Sequence, residues 1–161
     1  MTNGFHGRLN DGLSHEQRVA DALRENGWAV ERFGQALLSE HARGVLRDAG
    51  PACLYRWLPD LLIARDGVTW LVDAKSGRTD TAYHALEVAA HQAHVLLEHL
   101  GIEIAYIWAD LSTITVRDVA AVAKPGPSYQ RGGSGAAYVL VPKGACLPFP
   151  AVFGRRIEAV A

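Results

Sequence analysis

Leu58-Pro59-Asp60-Leu61-Leu62-Ile63-Ala64-Arg65-Asp66-Gly67-Val68-Thr69-Trp70-Leu71-Val72-Asp73-Ala74-Lys75 is a pair of apolar runs joined by Asp-Gly. Asp-Gly in that setting signals a two-residue type I′ hairpin, because both central positions of that turn need positive φ. With Asp66 and Gly67 as the turn, Arg65 pairs with Val68, and counting outward sets Asp60 directly opposite Asp73. Side chains alternate along a strand, so Lys75 shares the face of Asp73 while Ala74 points away. Opposed side chains lie roughly 5 Å apart. Two carboxylates that close need a proton or a cation between them. A hard divalent ion suits the position, since Mg²⁺ takes few carboxylates and keeps waters that can attack or be exchanged for a phosphate oxygen. The Lys75 ammonium would then steer the attacking water or stabilise developing negative charge. The plainer alternative makes Asp60 a turn cap after Pro59 and Lys75 a surface residue; it leaves the matched register of the three unexplained.

Both flanks read as helices. Ser14 to Trp28 has Ser14 as N-cap, Gln17 completing a capping box, an apolar face of Val19, Ala22 and Leu23, and Gly27 as the stop. Glu16 in its first turn complements the helix dipole. Asp80 to Leu100 reads as a long helix ending at Gly101, with Ala85, Leu86, Ala89, Ala93, Leu96, Leu97 and Leu100 as its apolar stripe. Gln92 falls on that stripe, and a buried amide without a partner costs about 1–3 kcal/mol, so it requires a backbone or an active-site partner. His84, His91 and His94, with Glu87 and Glu98, have helical spacing that admits Zn²⁺ or Ni²⁺. They lie opposite the leucine stripe, where a solvated polar face explains them without a ligand. His6, His15 and His41 belong to no comparable group.

Pro59-Asp60, a short gap and Asp73-Ala74-Lys75 resemble the signature of the PD-(D/E)xK nuclease superfamily in its Asp-x-Lys form. Glu16 to Trp28 is similar to the opening helix of the Holliday junction resolvases of that superfamily, and the resemblance covers roughly residues 14 to 110. It implies an α/β fold with a mixed β-sheet flanked by helices, a restriction-endonuclease-like core. It also implies a metal-dependent DNA endonuclease, leaving a 5′-phosphate and a 3′-hydroxyl. Asp60, Asp73, the Ala74 carbonyl and Glu16 would hold Mg²⁺ or Mn²⁺, Lys75 would assist the water, and Gln92 would orient the site. A homodimer is expected from the resemblance alone. A restriction, transposition or defence nuclease with the same centre, and a non-catalytic nucleic-acid-binding module, remain open.

At 161 residues the chain is expected to form a single domain, 1–161, with a core of its own. Hydrophobic residues at 49% and charged residues at 20% fit a soluble globular protein. No apolar run approaches the ~18 residues of a membrane span, and no secretory signal is visible, so a cytoplasmic location is expected. Cys53 and Cys146 are isolated and read as reduced thiols. The net charge of −1 is low for a nucleic-acid binder, but it is uneven. Residues 1–110 carry ten Lys+Arg against fifteen Asp+Glu, and residues 111–161 carry six against two, which leaves the C-terminal third to meet phosphates.

Elsewhere Trp28 to Phe33 alternates as a strand, Ser39 to Asp48 reads as a helix, and the apolar Ile102 to Ala109 reads as a central strand. Crossing from the Asp73 strand through a helix to that strand makes a parallel β-α-β unit beside the hairpin. Ser112 to Val122 and Ala136 to Val141 are further strand candidates, and Pro148-Phe149-Pro150 is expected to pack over the core or a partner. Lys124 to Gly135, rich in Gly, Pro and Ser, reads as a mobile loop. It is either a plain connector or a DNA contact, with Tyr129 stacking on a base and Arg131, Lys124 and Arg78 meeting phosphates.

Overall fold

A computed structural model describes residues 15–50, 52–76, 81–128 and 136–155. Among them a six-stranded mixed sheet runs in the order β1 (Ala29–Arg32), β2 (Leu61–Arg65), β3 (Val68–Lys75), β5 (Ile104–Trp108), β6 (Ser112–Thr115), β9 (Leu147–Pro148). The expected hairpin holds its register: Arg65 pairs with Val68 and Leu61 with Val72. Asp66 and Gly67 take φ of 53° and 78°, as a type I′ turn requires. A Cβ on Gly67 would meet no atom within 4 Å, so substitution there acts through backbone strain alone. Gly67→Val is therefore expected to cost about 1–3 kcal/mol in urea unfolding, and an unchanged midpoint would exclude the strain.

β3 and β5 run parallel, with Asp73 beside Tyr106 and Lys75 beside Trp108. Every residue of β5 is buried, as its apolar sequence demands. The two faces of the sheet carry separate cores. On one, helix α1 (15–25) and α5 (Phe149–Phe153) cover Leu61, Ile63, Val72, Ala105 and Ile107 through Val19, Leu23, Phe149 and Phe153. On the other, Leu71, Tyr106 and Trp108 pack with Leu86, Val116, Val119 and Val141. Each fully buried aliphatic side chain contributes about 1.5–3 kcal/mol. Alternation sends Asp73 and Lys75 to this second face.

Three expectations change. Residues 80–100 are not one helix: Tyr83–Glu87 is strand β4, and α3 spans Val88–His99. β4 alternates, with His84 and Leu86 buried, and pairs with β8 (Ala137–Pro142). Starting at Val88 turns α3 so that Ala90, Ala93 and His94 face inward while Leu96 and Leu100 are exposed. The stretch from Ser112 is a strand only to Thr115; Thr115 then caps α4 (Val116–Val122) by accepting from the Asp118 N–H. Finally, Lys124–Ser128, expected within a mobile loop, is strand β7, the outer member of a three-stranded sheet ordered β4-β8-β7. Pro125 and Pro127 are tolerated there because an edge strand can lack ladder donors. β9 likewise ends in Pro148 at an edge of the larger sheet. The candidate contacts Tyr129, Arg131 and Arg78, and the Ser14 cap, lie outside the described residues.

Candidate active site

Asp60 follows Pro59 one step beyond β2, and the backbone clamps it on both sides. Its N–H donates to Val72 O at 3.0 Å, and its carbonyl accepts from Phe33 N–H at 2.7 Å. In register, Ala74 would face Pro59, which offers no N–H. The Asp60 carboxylate turns onto the Ala74 N–H instead, at 2.9 Å. Next to Phe33, Gly34 makes the close approach possible: a Cβ there would lie 2.4 Å from Pro59 O and 2.8 Å from Leu58 O, and its φ is +60°. On β3, Asp73 is 6% exposed and Lys75 Nζ lies 2.7 Å from Asp73 Oδ2.

The acids divide their burden unequally. Burial raises the Asp60 carboxyl well above the usual carboxylate range, and the neighbouring Asp73 charge adds to it. Burial also acts to raise Asp73, but the Lys75 charge outweighs it and holds Asp73 below that range. Burial works against the Lys75 ammonium, yet Asp73 and Asp60 together leave its pKa raised. Lys75 is thus a permanent cation at neutral pH, fitted to stabilise charge rather than to accept a proton.

These residues floor a cavity of about 280 Å³ whose walls are Gln35, Arg56, Trp57 and Leu58 on the connection between β1 and β2, and Ala90 and His94 on α3. His94 is 1% exposed, so the solvated polar face that its spacing suggests is instead buried on this side of α3. Its Nε2 bonds to the Trp57 carbonyl at 2.7 Å, so Nε2 carries the proton and Nδ1 accepts from the Tyr106 hydroxyl at 2.8 Å. Nδ1 also lies 3.7 Å from Asp73 Oδ2. His94 thereby ties α3 to β5 and to the chain three residues before Asp60. His94→Leu strands the Trp57 carbonyl, with an expected loss of about 1–3 kcal/mol in denaturant unfolding. A loss below ~0.5 kcal/mol would show the bond to be dispensable.

Other candidates fall elsewhere. Gln92 is exposed and absent from this cavity, because α3 is phased to present Ala93 and His94 inward; Gln35 supplies the cavity's amide, donating to the Arg56 carbonyl. Glu16 lies on α1, which packs on the opposite face of the sheet, with Oε1 3.7 Å from Arg32 Nε. Lys124 sits on β7 with Nζ 5.9 Å from the Tyr83 ring centroid. The rival histidine site does not assemble. His84 is on β4, stacked on Trp108 and bonded to Ser112 Oγ at 2.7 Å, while His91 bonds Tyr106 OH. Among the described residues no three His, Cys, Asp or Glu side chains gather as a metal cluster.

No family model and no curated protein matches the sequence. By fold, the chain is similar to Hjc, a Holliday junction resolvase from the archaeal hyperthermophile Archaeoglobus fulgidus. The TM-score is 0.56 at 14% identity, covering 91% of this chain and 98% of that one. The chain has a nuclease-like fold. A nuclease from a fusselovirus is also similar, with TM-score 0.49 and 13% identity over 92% of this chain and 89% of that one. Gln35, Arg56 and Trp57 carried no signal in the sequence; His94 would have been found only by starting α3 at Val88.

Proposed function

We propose that the protein is a metal-dependent endodeoxyribonuclease, selective for DNA structure in the manner of a Holliday junction resolvase. One observation carries the reading: Asp60, held on the Ala74 N–H, lines one cavity with Asp73 and Lys75, and the Lys75 ammonium lies 2.7 Å from Asp73. The donor chemistry fits a divalent ion. Two acids, one forced towards its protonated form by burial and the other's charge, make a site that a cation relieves, and Mg²⁺ or Mn²⁺ needs few protein ligands. Asp60, Asp73 and the Ala74 carbonyl would hold it. Such an ion, when bound, supplies Lewis acidity at the phosphodiester and lowers the pKa of a water.

The chain's own groups do the rest. Asp73 fixes the Lys75 ammonium, which donates to the attacking water or to a non-bridging phosphate oxygen as negative charge develops. His94 holds the wall rigid, and Arg56 offers a guanidinium to a phosphate at the mouth. Water adds to phosphorus and the 3′-oxygen leaves, giving a 5′-phosphate and a 3′-hydroxyl. The fold likeness to a Holliday junction resolvase supports DNA as substrate, and the working form proposed is a homodimer. The test incubates purified protein with plasmid, single-stranded and four-way-junction DNA in Mg²⁺ or in EDTA. Cleavage that survives EDTA refutes the metal dependence; no cleavage of any of them in Mg²⁺ or Mn²⁺ refutes the nuclease.

A further inference from the structure

A second groove of about 330 Å³ lies beside the acidic cavity, lined by Ala52, Leu54, Ala89, Gln92, Ala93 and Leu96. The two share both walls. Leu54 faces the groove and Arg56 the cavity from one short turn, Leu54–Trp57, while Ala89 and Ala93 alternate with Ala90 and His94 along α3. Tyr55, 69% exposed, stands between Leu54 and Arg56. Leu54 and Leu96 are 45% and 51% exposed, so the groove offers water an apolar lining broken by a single carboxamide.

An apolar groove of this size with one amide matches a nucleobase. An amide presents a donor and an acceptor side by side, which a base edge can engage with two hydrogen bonds. In a strand, phosphate and base are separated by one sugar, comparable to the two-residue step from Arg56 to Leu54. A paired base has its faces and edge occupied, so only an unpaired or extruded base can enter. The acidic cavity next door decides the occupant: a strand whose phosphate enters that cavity beside Arg56 must run past this groove, whereas a second copy of this chain has no such tie to it. On α2 (Glu40–Asp48), a helix with no buried residue, exposed Arg43 and Arg47 are matched by exposed Glu40 and Asp48, so the helix adds no net charge.

Building on the nuclease reading, we propose that this groove receives an unpaired base of the strand whose phosphate enters the acidic cavity, with Tyr55 stacking on the base and Gln92 reading its edge. The probe is a single-stranded oligonucleotide bound to the full chain at low salt in EDTA, with an abasic residue moved through the sequence one position at a time. Base loss at one position is expected to weaken binding about tenfold. Gln92→Ala and the groove-filling Leu96→Trp are expected to erase that sensitivity. Indifference to base loss at every position, no single-strand binding, or sensitivity that survives Leu96→Trp overturns the inference. So does a changed solution mass in Leu96→Trp with DNA binding intact, which would make the groove a contact between copies. Cleavage of plasmid by wild type in Mg²⁺ is scored separately, so the nuclease reading stands or falls on its own arm.

Discussion

Lys75→Ala is expected to lower DNA cleavage by about 10²–10³-fold, the scale seen when one preorganised charge-stabilising donor is removed from an active site. The same change strips Asp73, 6% exposed, of the cation 2.7 Å away. Leaving a buried charge without its partner costs on the order of 3–5 kcal/mol, so the metal-free variant should melt well below wild type. Lys75→Arg separates the two effects. It keeps the cation and should recover much of the melting temperature, while its planar fork does not reproduce a point ammonium aimed at a phosphate oxygen. Plasmid nicking and thermal melts on the three proteins decide this, and nicking by Lys75→Ala at the wild-type rate would remove Lys75 from the mechanism.

Asp60→Asn should abolish cleavage and, in EDTA at pH 8, stabilise the fold. An amide oxygen can still accept from the Ala74 N–H, and the charge that opposes Asp73 is gone. The sign follows from the raised carboxyl of Asp60. Protonated Asp60 favours the fold below its unfolded pKa, and that contribution is lost as pH rises through the higher folded value. Asp73, held low, behaves oppositely: its contribution is present above the ordinary carboxylate pKa and is lost as pH falls through the folded one. The advantage of Asp60→Asn therefore grows from mildly acid pH upward, reaching about 1–2 kcal/mol, or roughly 3–6 °C for a chain of this size. Mg²⁺ should raise the melting temperature of wild type and leave the variant nearly unmoved. Equal melting curves for the two proteins at pH 8 in EDTA would show that the acids do not oppose each other.

The hairpin was legible because Asp66-Gly67 fixes register locally as far as Leu61–Val72, and from there the Asp60 carboxylate reaches the Ala74 N–H, between Asp73 and Lys75. β1, β5, α1 and α2 were legible from alternation, continuous apolarity and caps. What failed needed tertiary information. Tyr83–Glu87 looks helical beside an alanine-rich helix, and only pairing with β8 makes it a strand. A helix begun at Asp80 would place Gln92 inside and His94 outside, the reverse of the phase that a start at Val88 imposes. Lys124–Ser128 carries two prolines in five residues, which local rules assign to a loop, and its pairing with β8 overrides them. The cavity walls at Gln35, Arg56 and Trp57 come from a connection that carries no motif.

Pro125 and Pro127 on β7 and Pro148 on β9 have a bearing on self-association. A proline presents no amide hydrogen, so these rims cannot template an incoming strand, and runaway fibrillar growth is blocked there. Copies of this protein that meet at those rims must do so through side-chain contacts rather than by extending the sheet.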